Sequence, residues 1–96
     1  MQIKWLRRAP LNLDEEAAYL AKDSPRMTSE FVQHLRDSVA MLVQHPNMSR
    51  PGRIAGTREL VVTRFSYLVP YRVHDSSVEI LRILHTARKW PNRMQQ

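Results

Sequence analysis

Close to its end the chain reads VEILRILHTARKWP, residues 78–91, an apolar run that delivers His85, Arg88, Lys89 and Trp90 to one place. Histidine titrates near neutral pH and can act as a general acid or base. Neighbouring cations stabilise a phosphate or a carboxylate. Arg50, Arg53 and Arg58 flank a glycine-containing stretch, and Arg72 follows Tyr71 in another strand-like run. The candidates for catalysis are His85, Arg88 and Arg72. Those for gripping an anionic target are Arg53, Arg58, Arg72, Arg88, Lys89 and Trp90.

Each of these has a plainer role open to it. His85 at a strand end suits a structural hydrogen bond, and Trp90 suits a packing cap. Arg72 can pair with Glu79 across two strands. Arg82, inside the apolar run, needs a carboxylate or a route to the rim, because an unpaired buried charge is costly. His34, His45 and His74 are scattered without ligand spacing, so neither a metal nor a cofactor is expected.

The 96 residues suffice for one domain with a modest core, residues 1–96. The chain has no cysteine, which excludes disulfides, thiolate metal sites and a thiol nucleophile. Its two glycines, Gly52 and Gly56, exclude a glycine-rich phosphate loop. No apolar run is long enough for a membrane span or a signal peptide, so a cytoplasmic protein away from membranes is expected. Net charge is +6, and residues 50–96 carry nine cations against three acids, while residues 1–49 balance six against six. The whole excess lies in the second half, and it calls for an anionic partner, nucleic acid or an acidic protein segment.

The elements that must position these groups follow from periodicity. QIKWL (2–6) alternates as a first strand. A helix opens around Pro10 and runs through LDEEAAYLAK, with Asp14, Glu15 and Glu16 near its positive end. Ser24 then caps a second helix whose first residue is Pro25 and whose apolar stripe, Phe31, Val32, Leu35, Val39 and Leu42, runs to about His45. Pro46 stops it. After the loop 46–57 come strands 58–65, 67–74 and 77–85. Asp75-Ser76 suits a tight turn, and Pro70 calls for a bulge or a non-bonded position. The last of these strands reads as the central one, covered on both faces. The order β-α-α-β-β-β gives an α+β domain: an N-terminal strand and a two-helix hairpin on one face of an antiparallel sheet. Tyr67, Val69, Tyr71 and Val73 should meet the helices, leaving Arg72 on the open face.

The ordered set WLRRAPLNLDEEAAYLA, RPGRIAGTREL, YRV, VEILRILH and HTARKW resembles the ParE/RelE superfamily of toxin–antitoxin toxins across essentially the whole chain. That resemblance implies the RelE/ParE-like fold and a growth inhibitor, associated with plasmid stabilisation. It also implies a cognate antitoxin, ParD-like or related, whose acidic disordered tail folds along the toxin.

Two targets divide the superfamily. RelE-like members are metal-independent mRNA interferases that cut messages on the ribosome with a cluster of cations. Their arginine after the tyrosine of the middle strand is Leu68 here, and their two lysines of the preceding strand fall near Glu59 and Val61. Arg88 keeps one cation of that pattern, and the catalytic tyrosine at the C-terminal end has no counterpart. ParE-like members, inhibitors of DNA gyrase and not hydrolases, are matched by Tyr71-Arg72 and by the ILH exit with its nearby arginine. Gyrase inhibition is the preferred reading, a ribosome-dependent endoribonuclease the alternative. A basic module that binds nucleic acid directly ranks third, because few aromatic residues accompany the cations.

Overall fold

The computed structural model describes residues 1–86. Strand β1 (Gln2–Trp5) leads into helix α1 (Arg8–Ala21), and α2 (Pro25–Ala40) returns beside it. The Ser24 hydroxyl accepts the Met27 N–H at 3.2 Å, and Pro25 stands in the first turn, where a missing donor costs nothing. α2 stops short of His45 because its last turn tightens into a 3-10 turn over Met41–Val43. α1 begins earlier than Pro10. Asp14, Glu15 and Glu16 therefore fall beyond its first turn, which holds no acid, and Arg7 and Arg8 stand at the positive end instead.

The remaining strands are β2 (Arg50–Pro51), β3 (Arg58–Val62), β4 (Tyr67–His74), β5 (Ser77–Ile80) and β6 (Leu84–His85). They lie in the order β1-β5-β4-β3-β2, with β6 paired to the first residues of β4. The β3-β4-β5 meander is antiparallel, as short turns dictate. β1 runs parallel to β5, so the sheet is mixed. The long chain between those two strands imposes no reversal of direction.

β4 holds the centre of the sheet, and the expected strand 77–85 is broken. Ile80 faces Tyr71 and Leu84 faces Leu68, so Leu81, Arg82 and Ile83 oppose only Val69 and Pro70. Leu81 N–H donates to the Pro70 carbonyl at 2.9 Å. Pro70 has no N–H to return, and the ladder opens into a bulge. The extra residue shifts the alternation by one. Ile83 consequently joins Val78 and Ile80 in the core, and its N–H donates to Asn12 Oδ1 of α1 at 3.2 Å.

The core lies between this face of the sheet and the helices, where Phe31, Leu35 and Val39 meet Tyr67, Val69 and Tyr71. Each buried tyrosine hydroxyl has an acceptor: Tyr67 donates to Glu16 at 2.6 Å and Tyr71 to the Pro46 carbonyl at 2.8 Å. Val73, at the end of that row, is exposed.

Candidate functional site

A cleft of about 800 Å³ opens where three segments converge: the start of α1, the far half of β4 and the loop of residues 54–57. Arg7, Arg8, Arg72 and His74 bring the charge to it, and among the described residues no carboxylate lines it. Leu6, Leu11 and Ile54 supply apolar surface between the cations. Arg72 and His74 share one side of β4 by alternation. Glu79, directly opposite Arg72 in register, accepts from its guanidinium at 2.5 Å. That hydrogen bond, foremost, and the nearby charges of Arg72, His74 and Lys4 hold the Glu79 carboxyl below its ordinary value, against a smaller opposing effect of burial. Arg7 and Arg8 have no ion-pair partner among the described residues. Behind them lies Arg82, whose pKa is lowered by burial and then by Arg8, and raised by Glu15. An arginine remains charged despite such a shift.

The loop wall of the cleft is held by one acid. Glu59 is 4% exposed, accepts from Arg50 Nη2 at 3.1 Å and from the Arg53 backbone N–H at 3.2 Å, and has Arg53 Nε at 3.8 Å. Arg58 donates to the Ser49 carbonyl at 2.8 Å. Gly52 is required by close approach, since a Cβ there would meet Thr57 Oγ1 at 2.3 Å. Gly56 is required by its φ of +80°.

A family model described as the ParE toxin of the type II toxin–antitoxin system parDE matches residues 3–90. The chain belongs to the ParE toxin family. It is a type II toxin–antitoxin toxin of the ParE/RelE superfamily, and membership implies an antitoxin partner. The protein named toxin Y4kP of Sinorhizobium fredii is 41% identical over 90 residues, 94% of this chain and 93% of its own. Toxin RelE2 of Caulobacter vibrioides is 33% identical over 87 residues, 91% of this chain and 97% of its own. A solved structure described as the chromosomal ParDE TA system from P. aeruginosa superposes with a TM-score of 0.77 at 31% identity, covering 86% of this chain and 92% of that one.

In this ParE-family toxin His85 and Arg72, both among the described residues singled out in the sequence, lie toward opposite ends of β4. His85 pairs with Tyr67 at the start of β4, half-buried, its ring edge-on to the tyrosine at 5.0 Å. Arg72 lies near the other end of the same strand, roughly 17 Å away at about 3.3 Å per residue. Arg53 and Arg58 are engaged with the loop, as described above. Arg88, Lys89 and Trp90 lie outside the described residues. Among the described residues no group of three or more His, Cys, Asp or Glu could hold a metal, and no helix is long and apolar enough to cross a membrane.

The toxin's cleft also contains residues that the sequence reading passed over: Arg7, Arg8 and His74. A signal for His74 was present, because it stands two residues after Arg72 on one strand and so shares its side. The Arg7-Arg8 pair precedes the helix in LRRAP, but nothing in that local window shows that β4 and the 54–57 loop lie opposite.

Proposed function

We propose that this ParE-family toxin arrests growth by inhibiting DNA gyrase and is neutralised by an antitoxin with an acidic tail that folds on binding. The observation that carries the target is the character of three positions. Leu68, where RelE-like toxins carry an arginine, is buried and apolar. Glu59, near one of their lysines, is a carboxylate already bound to Arg50 and to the Arg53 backbone. Val61, near the other, has no charge to offer. Cleaving a phosphodiester without a metal demands preorganised positive charge at the reacting phosphate, and these positions withhold it. An inhibitor that works by occupying a surface of its target has no such demand.

The antitoxin reading rests on family membership and on the charge excess of residues 50–96, which favours an acidic segment that orders as it binds. Purified gyrase should lose supercoiling activity when the toxin is added and regain it with the antitoxin. Ribosome-bound message should stay intact in the same preparation. Cleaved message with unimpaired supercoiling would replace this reading with the ribosome-dependent nuclease.

A further inference from the structure

At the end of α2 the chain folds into one compact turn over residues 41–48. His45 N–H donates to the Met41 carbonyl at 3.0 Å, and Met48 N–H to the His45 carbonyl at 3.2 Å. The turn is fastened to the body of the fold at several points. Leu42 is buried in the core, and the Tyr71 hydroxyl donates to the Pro46 carbonyl at 2.8 Å. Arg58 Nη1 donates to the Asn47 carbonyl at 3.4 Å and to the Ser49 carbonyl at 2.8 Å. What this fastened turn shows to water is apolar: Met41 is 55% exposed, Met48 47% and Val43 37%. None of the three lines the cleft. Left in water they add little to the fold, and their grouping in one turn marks a contact surface.

The surrounding charge says what kind of surface they meet. Residues 38–58 contain no Asp or Glu and include Arg50, Arg53 and Arg58. Glu59, the next residue, is buried and engaged by Arg50 and the Arg53 backbone. Apolar side chains in a basic surround fit a partner with an apolar depression and an acidic rim. Methionine suits such a contact, because its flexible thioether fills irregular apolar gaps. Gln44, His45 and Asn47 are exposed as well, so the turn projects. A projecting turn held in place fits a hollow already formed in a folded protein. A tail that orders on binding brings no such hollow, and a phosphate backbone has no apolar surface to offer.

We infer that the 41–48 turn, through Met41, Val43 and Met48, inserts into an apolar hollow on an acidic surface of the toxin's target. The inference rests on the gyrase reading above and gives that inhibitor the face that meets the enzyme.

Inhibition of supercoiling by purified gyrase tests it, with full-length antitoxin binding measured on the same toxin variants. The Met41→Gln/Met48→Gln double variant should need about tenfold or more toxin for half-inhibition, while binding the antitoxin as the wild type does. Asn47→Glu, which places an acid on the turn, should also weaken inhibition, and Asn47→Lys should retain it. Met27→Gln, at an equally exposed methionine on the first turns of α2, should change nothing. Wild-type antitoxin binding shows that each variant is folded. A double variant that inhibits gyrase at the wild-type concentration would sink the turn and spare the gyrase reading. A wild type that leaves supercoiling untouched sinks both. Antitoxin binding lost in step with inhibition would assign the turn to the antitoxin. A wild type that sediments as a dimer and a double variant that sediments as a monomer would assign it to a second copy of the chain. Either of these last two results overturns the inference.

Discussion

A buried carboxylate persists only where cations and N–H groups face it, and Glu59 has both. Removing its oxygens in Glu59→Ala leaves Arg50, the Arg53 backbone and the loop they hold without an acceptor. Both arginine side chains are more than half exposed, so water recovers part of what is lost. We expect a destabilisation of about 1–2 kcal/mol in urea unfolding, with Glu59→Gln losing less because one oxygen remains. His85 poses the opposite question, chemistry against packing. Glutamine preserves hydrogen bonding and much of the volume beside Tyr67, so His85→Gln should retain much of the toxicity of a gyrase inhibitor. General acid–base catalysis would make the same change cost about 10²–10⁴-fold, and a loss of that size in message cleavage would identify a nuclease. At this scale the Arg72–Glu79 pair was legible, because alternation and the tight turn at Asp75 fix which residues oppose. The cleft was not, because the groups that complete it come from segments far apart in sequence.

Elements differed in legibility according to where their causes lie. The start of α2 was readable because Ser24 and Pro25 act on their own neighbours. Ser24→Ala removes the acceptor of the Met27 N–H and should cost about 1 kcal/mol, seen as a lower thermal midpoint with unchanged helix content. The run 77–85 was misread as one strand because the residue that breaks it, Pro70, sits on the neighbouring strand. Pro70 itself announced a bulge; which strand would carry the extra residue was not written in either window. The parallel pairing of β1 with β5 was hidden for a similar reason, since alternation in QIKWL marks a strand and leaves its partner and direction open. The family resemblance carried the overall arrangement where local periodicity stopped.

For the whole molecule, charge sets both how a partner arrives and how the fold responds to acid. The net charge of +6 should steer an acidic antitoxin, so its association rate should fall as salt shortens the screening length. A rate indifferent to salt would remove steering from the account. The fold carries its own electrostatic signature in Glu79. Its folded carboxyl lies below the ordinary value of 4.5, chiefly through the Arg72 hydrogen bond. The unfolded chain therefore takes up a proton there at a higher pH than the native chain does, and stability falls as protons are added. The Glu79 contribution is fully present above about 4.5, and it is lost as the pH falls through the lowered folded value. Glu79→Gln removes the titration and keeps the shape. Urea midpoints should accordingly place the variant below the wild type at about pH 7, with the gap narrowing as the pH falls below about 4.5 and through the lowered folded value. A gap that stays constant across that range would show that Arg72 and Glu79 are joined by shape alone, and that the charge opposite the cleft contributes nothing to holding β4 and β5 together.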